Sequence, residues 1–121
     1  MEYLLLIYAN EAGIEAMDKA EMSAVMDDFR AFTDAIVKSG NYKGSNRLQP
    51  VTTATTVRVR GGRTLTTDGP FAETREQLGG YFIVEAKDLD EAMGIAQRIP
   101  AARLGVVEIR PMIEIPNLPG Q

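Results

Sequence analysis

The chain has neither cysteine nor histidine among its 121 residues. Without cysteine there are no disulfides, no thiolate-ligated zinc and no cysteine nucleophile, a composition that suits a reducing, cytoplasmic setting. The missing imidazole excludes more: Ser-His and Cys-His dyads, histidine-ligated metals, and the one side chain that ordinarily titrates near neutrality. Acid-base chemistry in such a chain falls to a carboxylate, a lysine or a tyrosine whose pKa its surroundings have moved. Long apolar runs are absent too. Tyr3-Leu4-Leu5-Leu6-Ile7-Tyr8 is short, follows acidic Glu2 and has no basic leader, so it reads as a buried strand and not as a signal peptide. No run approaches the length of a bilayer span, and no membrane association is expected. Basic residues are in the minority, 13 against 17 acidic ones, for a formal charge of −4. They are scattered, which argues against nucleic-acid binding by the domain itself.

What is present fits one compact domain over residues 1–121, with 45% hydrophobic content and a short proline-rich tail at about 112–121. Asp18 and Glu21 have the spacing of a capping box, and Met22, Val25, Phe29, Phe32 and Ile36 follow as one apolar stripe. With Gly40 as a left-handed stop, the spacing predicts a helix over about 18 to 39. Tyr42 to Thr56, with Pro50 and a threonine cluster, suggests an edge strand or an irregular approach to the sheet. Val57-Arg58-Val59-Arg60 and Arg63-Thr64-Leu65-Thr66-Thr67 alternate around Gly61-Gly62, the pattern of a hairpin with one solvated face. Tyr81-Phe82-Ile83-Val84-Glu85-Ala86 reads as a central strand. A second capped helix then follows from Asp88, carrying Leu89, Ala92, Met93, Ala96 and Ile99 and ending at Pro100. Val106-Val107-Glu108-Ile109-Arg110 is the last strand. The order predicts an α+β fold: a ferredoxin-like split βαβ protomer with an inserted β-hairpin. Helices on one face of an open sheet leave the other bare, and its tyrosine, valine and isoleucine call for cover. A homodimer with sheets face to face is expected, the tail crossing to the partner.

The reactive groups crowd into Asp68-Gly69-Pro70-Phe71-Ala72-Glu73-Thr74-Arg75-Glu76-Gln77-Leu78-Gly79-Gly80. Asp68 before Gly69-Pro70 can close an Asx-type turn through its carboxylate, or can be aimed into a cleft and serve as a general base. Arg75 lies between Glu73 and Glu76, either pairing with them and holding a small anionic ligand or standing in a solvated charge cluster. Phe71 reads as a core plug for the loop, and Gly79-Gly80 as a bulge or close approach where the chain re-enters the sheet. Tyr8, at the end of the first strand, would put its hydroxyl at the mouth of the same cleft. No ligand spacing for a metal is visible, and no cofactor is expected.

These residues carry a resemblance. Leu5-Leu6-Ile7-Tyr8, the run from Thr67 to Gly80, Asp88-Leu89-Asp90-Glu91-Ala92 and Val107-Glu108-Ile109-Arg110-Pro111 together resemble the DGPF-domain branch of the YCII-related family, over nearly the whole chain. The resemblance implies a dimeric α+β barrel of ferredoxin-like protomers. It implies no single activity. Some relatives resemble lactone dehalogenases or isomerase-like enzymes, and the histidine-aspartate pair of one branch has no counterpart here. DGPF-type domains also resemble partners of extracytoplasmic-function sigma factors. Two functions are therefore expected as rivals. One is a module that binds a small ligand or a protein such as a sigma factor. The other is a cofactor-free enzyme acting on a small anionic molecule by proton transfer or lyase-type chemistry. For the enzyme, the candidate catalytic residues are Asp68 (base), Arg75 (anion partner), Glu73 and Glu76; Tyr8, Gly69, Pro70 and Phe71 are the candidate lining of the ligand site.

Overall fold

In a computed structural model, which describes every residue except 118, 120 and 121, four strands form one antiparallel sheet. They are β1 (Glu2–Ala9), β2 (Tyr42–Arg47), β5 (Gln77–Glu85) and β6 (Val106–Pro111), in the spatial order β2-β5-β1-β6. Between β2 and β5 the chain makes one 3-10 turn (Val51–Thr53) and a hairpin of β3 (Thr55–Arg60) and β4 (Arg63–Asp68), which forms its own two-stranded sheet. The helices are α1 (Glu11–Glu15), α2 (Lys19–Lys38), α3 (Leu89–Ala96) and α4 (Ala101–Leu104). Counting only the strands of the larger sheet, the order runs fourth, first, third, second: the ferredoxin-like plan with an inserted hairpin.

The long helix forms where its caps direct it. Asp18 accepts from the Glu21 amide at 2.8 Å while Glu21 reaches back to the Asp18 amide, so two otherwise orphaned donors are satisfied. At the other end Gly40 takes φ 82°, the left-handed conformation that stops the helix. The apolar stripe docks Phe32 and Ile36 on the sheet, with Phe29 packed at the margin. Phe32 meets Phe82 of β5 edge to face at 5.2 Å between ring centroids, and Tyr42 approaches the same ring at 6.5 Å.

Period-two alternation divides β1 and β5 between two faces. Tyr3, Leu5, Phe82 and Val84 are buried with Ala92, Ile95, Ile99 and Ala101 beneath the helices. Each such large apolar side chain contributes roughly 1.5–3 kcal/mol through removal from water. Leu4, Leu6, Tyr81 and Ile83 point to the opposite face, pair across the ladder as Leu4 with Ile83 and Leu6 with Tyr81, and remain half-buried. Among the described residues the core holds no buried polar side chain and leaves no buried side-chain donor or acceptor unsatisfied.

Several sequence expectations shift. The strand expected from Tyr81 begins at Gln77, so Gln77-Leu78-Gly79-Gly80 is sheet and the loop proper is residues 69–76. The register slips between Ile7 and Tyr8, which pair with Gly80 and Leu78, and Gly79 is the extra residue of the expected bulge. Gly80 admits the close approach: a Cβ there would lie 2.7 Å from the Asn46 carbonyl oxygen. Pro100 does not simply end a helix. α3 closes at Ala96, and Pro100 precedes α4, whose next residue Gly105 passes so near β1 that a Cβ would stand 2.1 Å from the Tyr8 carbonyl oxygen. Gly61 and Gly62 both have positive φ, 56° and 75°, as a two-residue hairpin turn requires. The tail leaves β6 with Ile113 and Ile115 exposed; its residues 118, 120 and 121 lie outside the described residues.

Candidate functional site

The loop 69–76 leaves β4 through Gly69, whose φ of 97° is open to glycine at little cost. The Gly69 amide donates to the Ala54 carbonyl at 2.7 Å, and the Thr56 hydroxyl donates to the Gly69 carbonyl at 2.8 Å. This backbone lock replaces the Asx turn expected of Asp68. The Asp68 side chain is exposed and takes part in no hydrogen bond among the described residues. Asp68 instead ends β4, paired with Thr55.

The far end of the loop is held mainly by the amide side chains of Asn10 and Gln77. Gln77, at the start of β5, accepts from the Glu11 amide through Oε1 at 2.9 Å and donates through Nε2 to the Thr74 carbonyl at 2.9 Å. Asn10 caps α1 by accepting from the Gly13 amide at 2.9 Å, and its Nδ2 donates to the Arg75 carbonyl at 3.4 Å. Glu11 turns the other way, its carboxylate accepting from the Val51 amide at 3.0 Å. Thr74 donates to the Glu76 carbonyl and closes the loop on itself. The start of α1, the 3-10 turn and the head of β5 thus hold one loop between them.

Between these pieces lies a groove of about 250 Å³ lined by Val51, Pro70, Ala72, Glu73, Thr74 and Gln77. That volume suits a molecule of few heavy atoms, at or below the small end of ligand sites. A larger hollow of about 360 Å³ lies between α3, α4 and β6, walled by Met93, Ala96, Gln97, Ala102, Val107 and Ile109. It has no ionisable side chain in its lining, and the loop groove is the better candidate for directed chemistry.

The structure gathers Pro70 and Glu73 at the groove, while Gly69 holds the loop's entry. Of the two readings of Glu73, Arg75 and Glu76, the structure lacks the ion-paired one among the described residues and agrees with charges left in solvent. Asp68, Glu73 and Arg75 are exposed and Glu76 is half-buried. Among the described residues none of the four forms an ion pair within 4.0 Å. Phe71 is no core plug: it is 79% exposed, on a stretch, residues 70–75, that runs over the surface and is exposed throughout. Tyr8 is not in the groove lining. Its hydroxyl donates to Glu108 Oε1 at 3.3 Å, and Glu108 in turn lies 3.9 Å from Arg110 on the same strand. Partial burial, and after it the Glu108 carboxylate, hold the Tyr8 phenol above the usual tyrosine range, with Arg110 opposing them. Among the described residues no group of three or more acidic side chains could hold a metal ion, and no helix is long and apolar enough to cross a membrane.

Sequence reasoning missed Asn10, Glu11 and Gln77 as the residues that set the loop. Asn10 immediately after an apolar strand carries the signal of a helix cap, which the shortness of α1 and its Gly13 obscure. Gln77 stood inside the quoted motif without a role.

The profile of the YCII-related domain matches residues 1–116. The chain belongs to the YCII-related family. This YCII-related protein is 39% identical over 114 residues to an uncharacterised protein of Rhizobium meliloti (strain 1021), covering 93% of this chain and 92% of that one. Among solved structures it is similar to a 5-chloro-2-hydroxyhydroquinone dehydrochlorinase from Burkholderia phenoliruptrix AC1100, determined with 2,5-dihydroxybenzoquinone. That similarity has a TM-score of 0.47 and 12% identity, over 93% of this chain and 94% of the other.

Proposed function

We propose that this YCII-related domain is a homodimeric binding module that takes a small polar molecule in the groove between Pro70, Thr74 and Gln77. One observation carries the reading. The groove is shaped by the hydrogen bonds of Asn10, Glu11 and Gln77, while Asp68, Glu73 and Arg75 stand exposed and unpaired by ions among the described residues. Proton-transfer catalysis draws on reactive groups that converge on a site, whereas a small groove of apolar and neutral polar side chains with one carboxylate in its lining suits recognition. Glu73 at the rim gives preference to ligands with hydrogen-bond donors. The dimer is supported by Leu4, Leu6, Tyr81 and Ile83 on the half-buried sheet face. A regulatory role, with an extracytoplasmic-function sigma factor as partner, is consistent with such a module.

Amide-resolved NMR against a set of small polyols, amines and hydroxy acids tests the site. A binder is expected to shift the amides of Glu73, Thr74 and Gln77, and Gln77→Ala to weaken it about tenfold, the worth of one or two lost hydrogen bonds. Binders that shift only residues distant from the groove would remove the proposal. Turnover of any such molecule, abolished by Asp68→Asn with the fold intact, would replace binding with catalysis. Light scattering at micromolar concentration is expected to give the mass of two chains, and a monomer would remove the dimer.

A further inference from the structure

Among the described residues, the hairpin of β3 and β4 is hydrogen-bonded to no other strand. Two strands alone are marginally stable in water, and a third strand or a packed helix is ordinarily needed to hold them. Here every residue of β4 is exposed, as is every residue of β3 but Thr56. The ladder sorts the side chains into two unlike faces. Val57 and Val59 share one with Thr64 and Thr66, and both valines are 59% exposed. Arg58, Arg60, Arg63 and Leu65 share the other, where Arg60 and Arg63 stand directly opposite one another. Like charges opposed across a ladder destabilise it, so an acidic surface against this face would convert a cost into an attraction. Just beyond the hairpin root, Phe71 presents an aromatic ring almost fully to solvent.

Charge says what fits. The hairpin carries three arginines and one aspartate, a net of +2; the rest of the chain retains ten basic and sixteen acidic residues, a net of −6. A second copy of the chain, net acidic outside its own hairpin, is a partner of the complementary sign. A nucleic acid would meet the same arginines and be repelled by the acidic remainder. The root is stiff, locked by Gly69 to Ala54 and Thr56 to Gly69, so the hairpin is held out as a preformed element.

We propose that the hairpin Thr55–Asp68, together with Phe71, is an arm that clasps a second copy of this chain, its arginine face set on the acidic surface of that copy. The inference rests on the homodimer proposed above and adds the segment that reaches across.

The absence of native cysteine makes the test direct. Thr64→Cys, carrying a nitroxide label, is mixed with unlabelled copies observed by amide-resolved NMR, and mass by light scattering is followed in parallel. Broadening is expected at acidic surface positions of the unlabelled copy. Arg58→Glu, Arg60→Glu and Arg63→Glu combined, and Phe71→Ala separately, are expected to weaken the dimer about tenfold or more, as for central interface residues. Raised salt is expected to weaken the wild-type dimer. Circular dichroism establishes that the triple variant is folded, and the labelled wild-type arm reports independently of it. A dimer without intermolecular broadening, and unmoved by the arm variants, overturns the clasp and leaves the homodimer standing. A monomer under all conditions removes both. Broadening that arises only on adding DNA would assign the arm to nucleic acid and overturn the proposal.

Discussion

The four-stranded body and the hairpin with its loop are built from similar residues and put to opposite uses. In the body, Leu5, Ile36, Val84 and Ile99 are sealed from water, and the helices complete the cover. In the hairpin, Val57, Val59 and Leu65 sit on equally regular strands and remain exposed, as does Phe71 beyond them. Strand geometry alone therefore does not bury a side chain; a second layer does. The buried apolar core resides in the body, and exposed apolar side chains stand on the loop and the hairpin.

The largest effect that would sharpen this contrast is Leu5→Ala. Leu5 is fully buried at the centre of the core, and its truncation is expected to cost about 2–5 kcal/mol, read from denaturant unfolding. A much smaller loss would mean that the body is loosely packed and the contrast overstated. An intermediate effect is expected at the open sheet face. Tyr8→Phe removes the hydrogen bond to Glu108 and is expected to cost about 1 kcal/mol at neutral pH. Because the folded state raises the Tyr8 pKa, the protonated phenol is the favoured form. The stability tied to it is fully present below the unfolded value of 10.0 and is lost as pH rises through the folded value. Stability of wild type and Tyr8→Phe should therefore converge in alkaline solution, and curves that remain parallel above that range would refute the linkage. The smallest effect is expected from Val59→Ala, within about 0.5 kcal/mol for protomers diluted below dimer formation. A cost matching that of Leu5→Ala under those conditions would break the comparison outright.

The fold was legible wherever local chemistry and the global arrangement agree. Asp18 and Glu21 announced the start of α2, Gly40 its end, and Gly61-Gly62 the hairpin turn, because each acts through its own backbone within a few residues. α1 and α4 escaped notice: five and four residues are too few to display a helical period. Phe71 shows the limit most clearly. Its hydrophobicity is evident, but whether anything lies beneath the loop is a property of segments distant in sequence. The candidate site was legible as a region and not as an assembly. Asp68, Arg75 and Glu73 drew attention by charge, whereas the neutral side chains that set the loop, Asn10 just after β1 and Gln77 at the head of β5, meet only after the sheet has formed.

The sheet's two outer strands carry one more consequence. β2 slips register between Tyr42 and Gly44 and bears Lys43 and Arg47, while β6 alternates Glu108 with Arg110 and closes on Pro111, which has no amide proton to offer. Interrupted, charged borders of this kind make poor templates for an incoming strand. The four-stranded sheet is thereby a poor seed for edge-wise stacking into fibres at either of its borders.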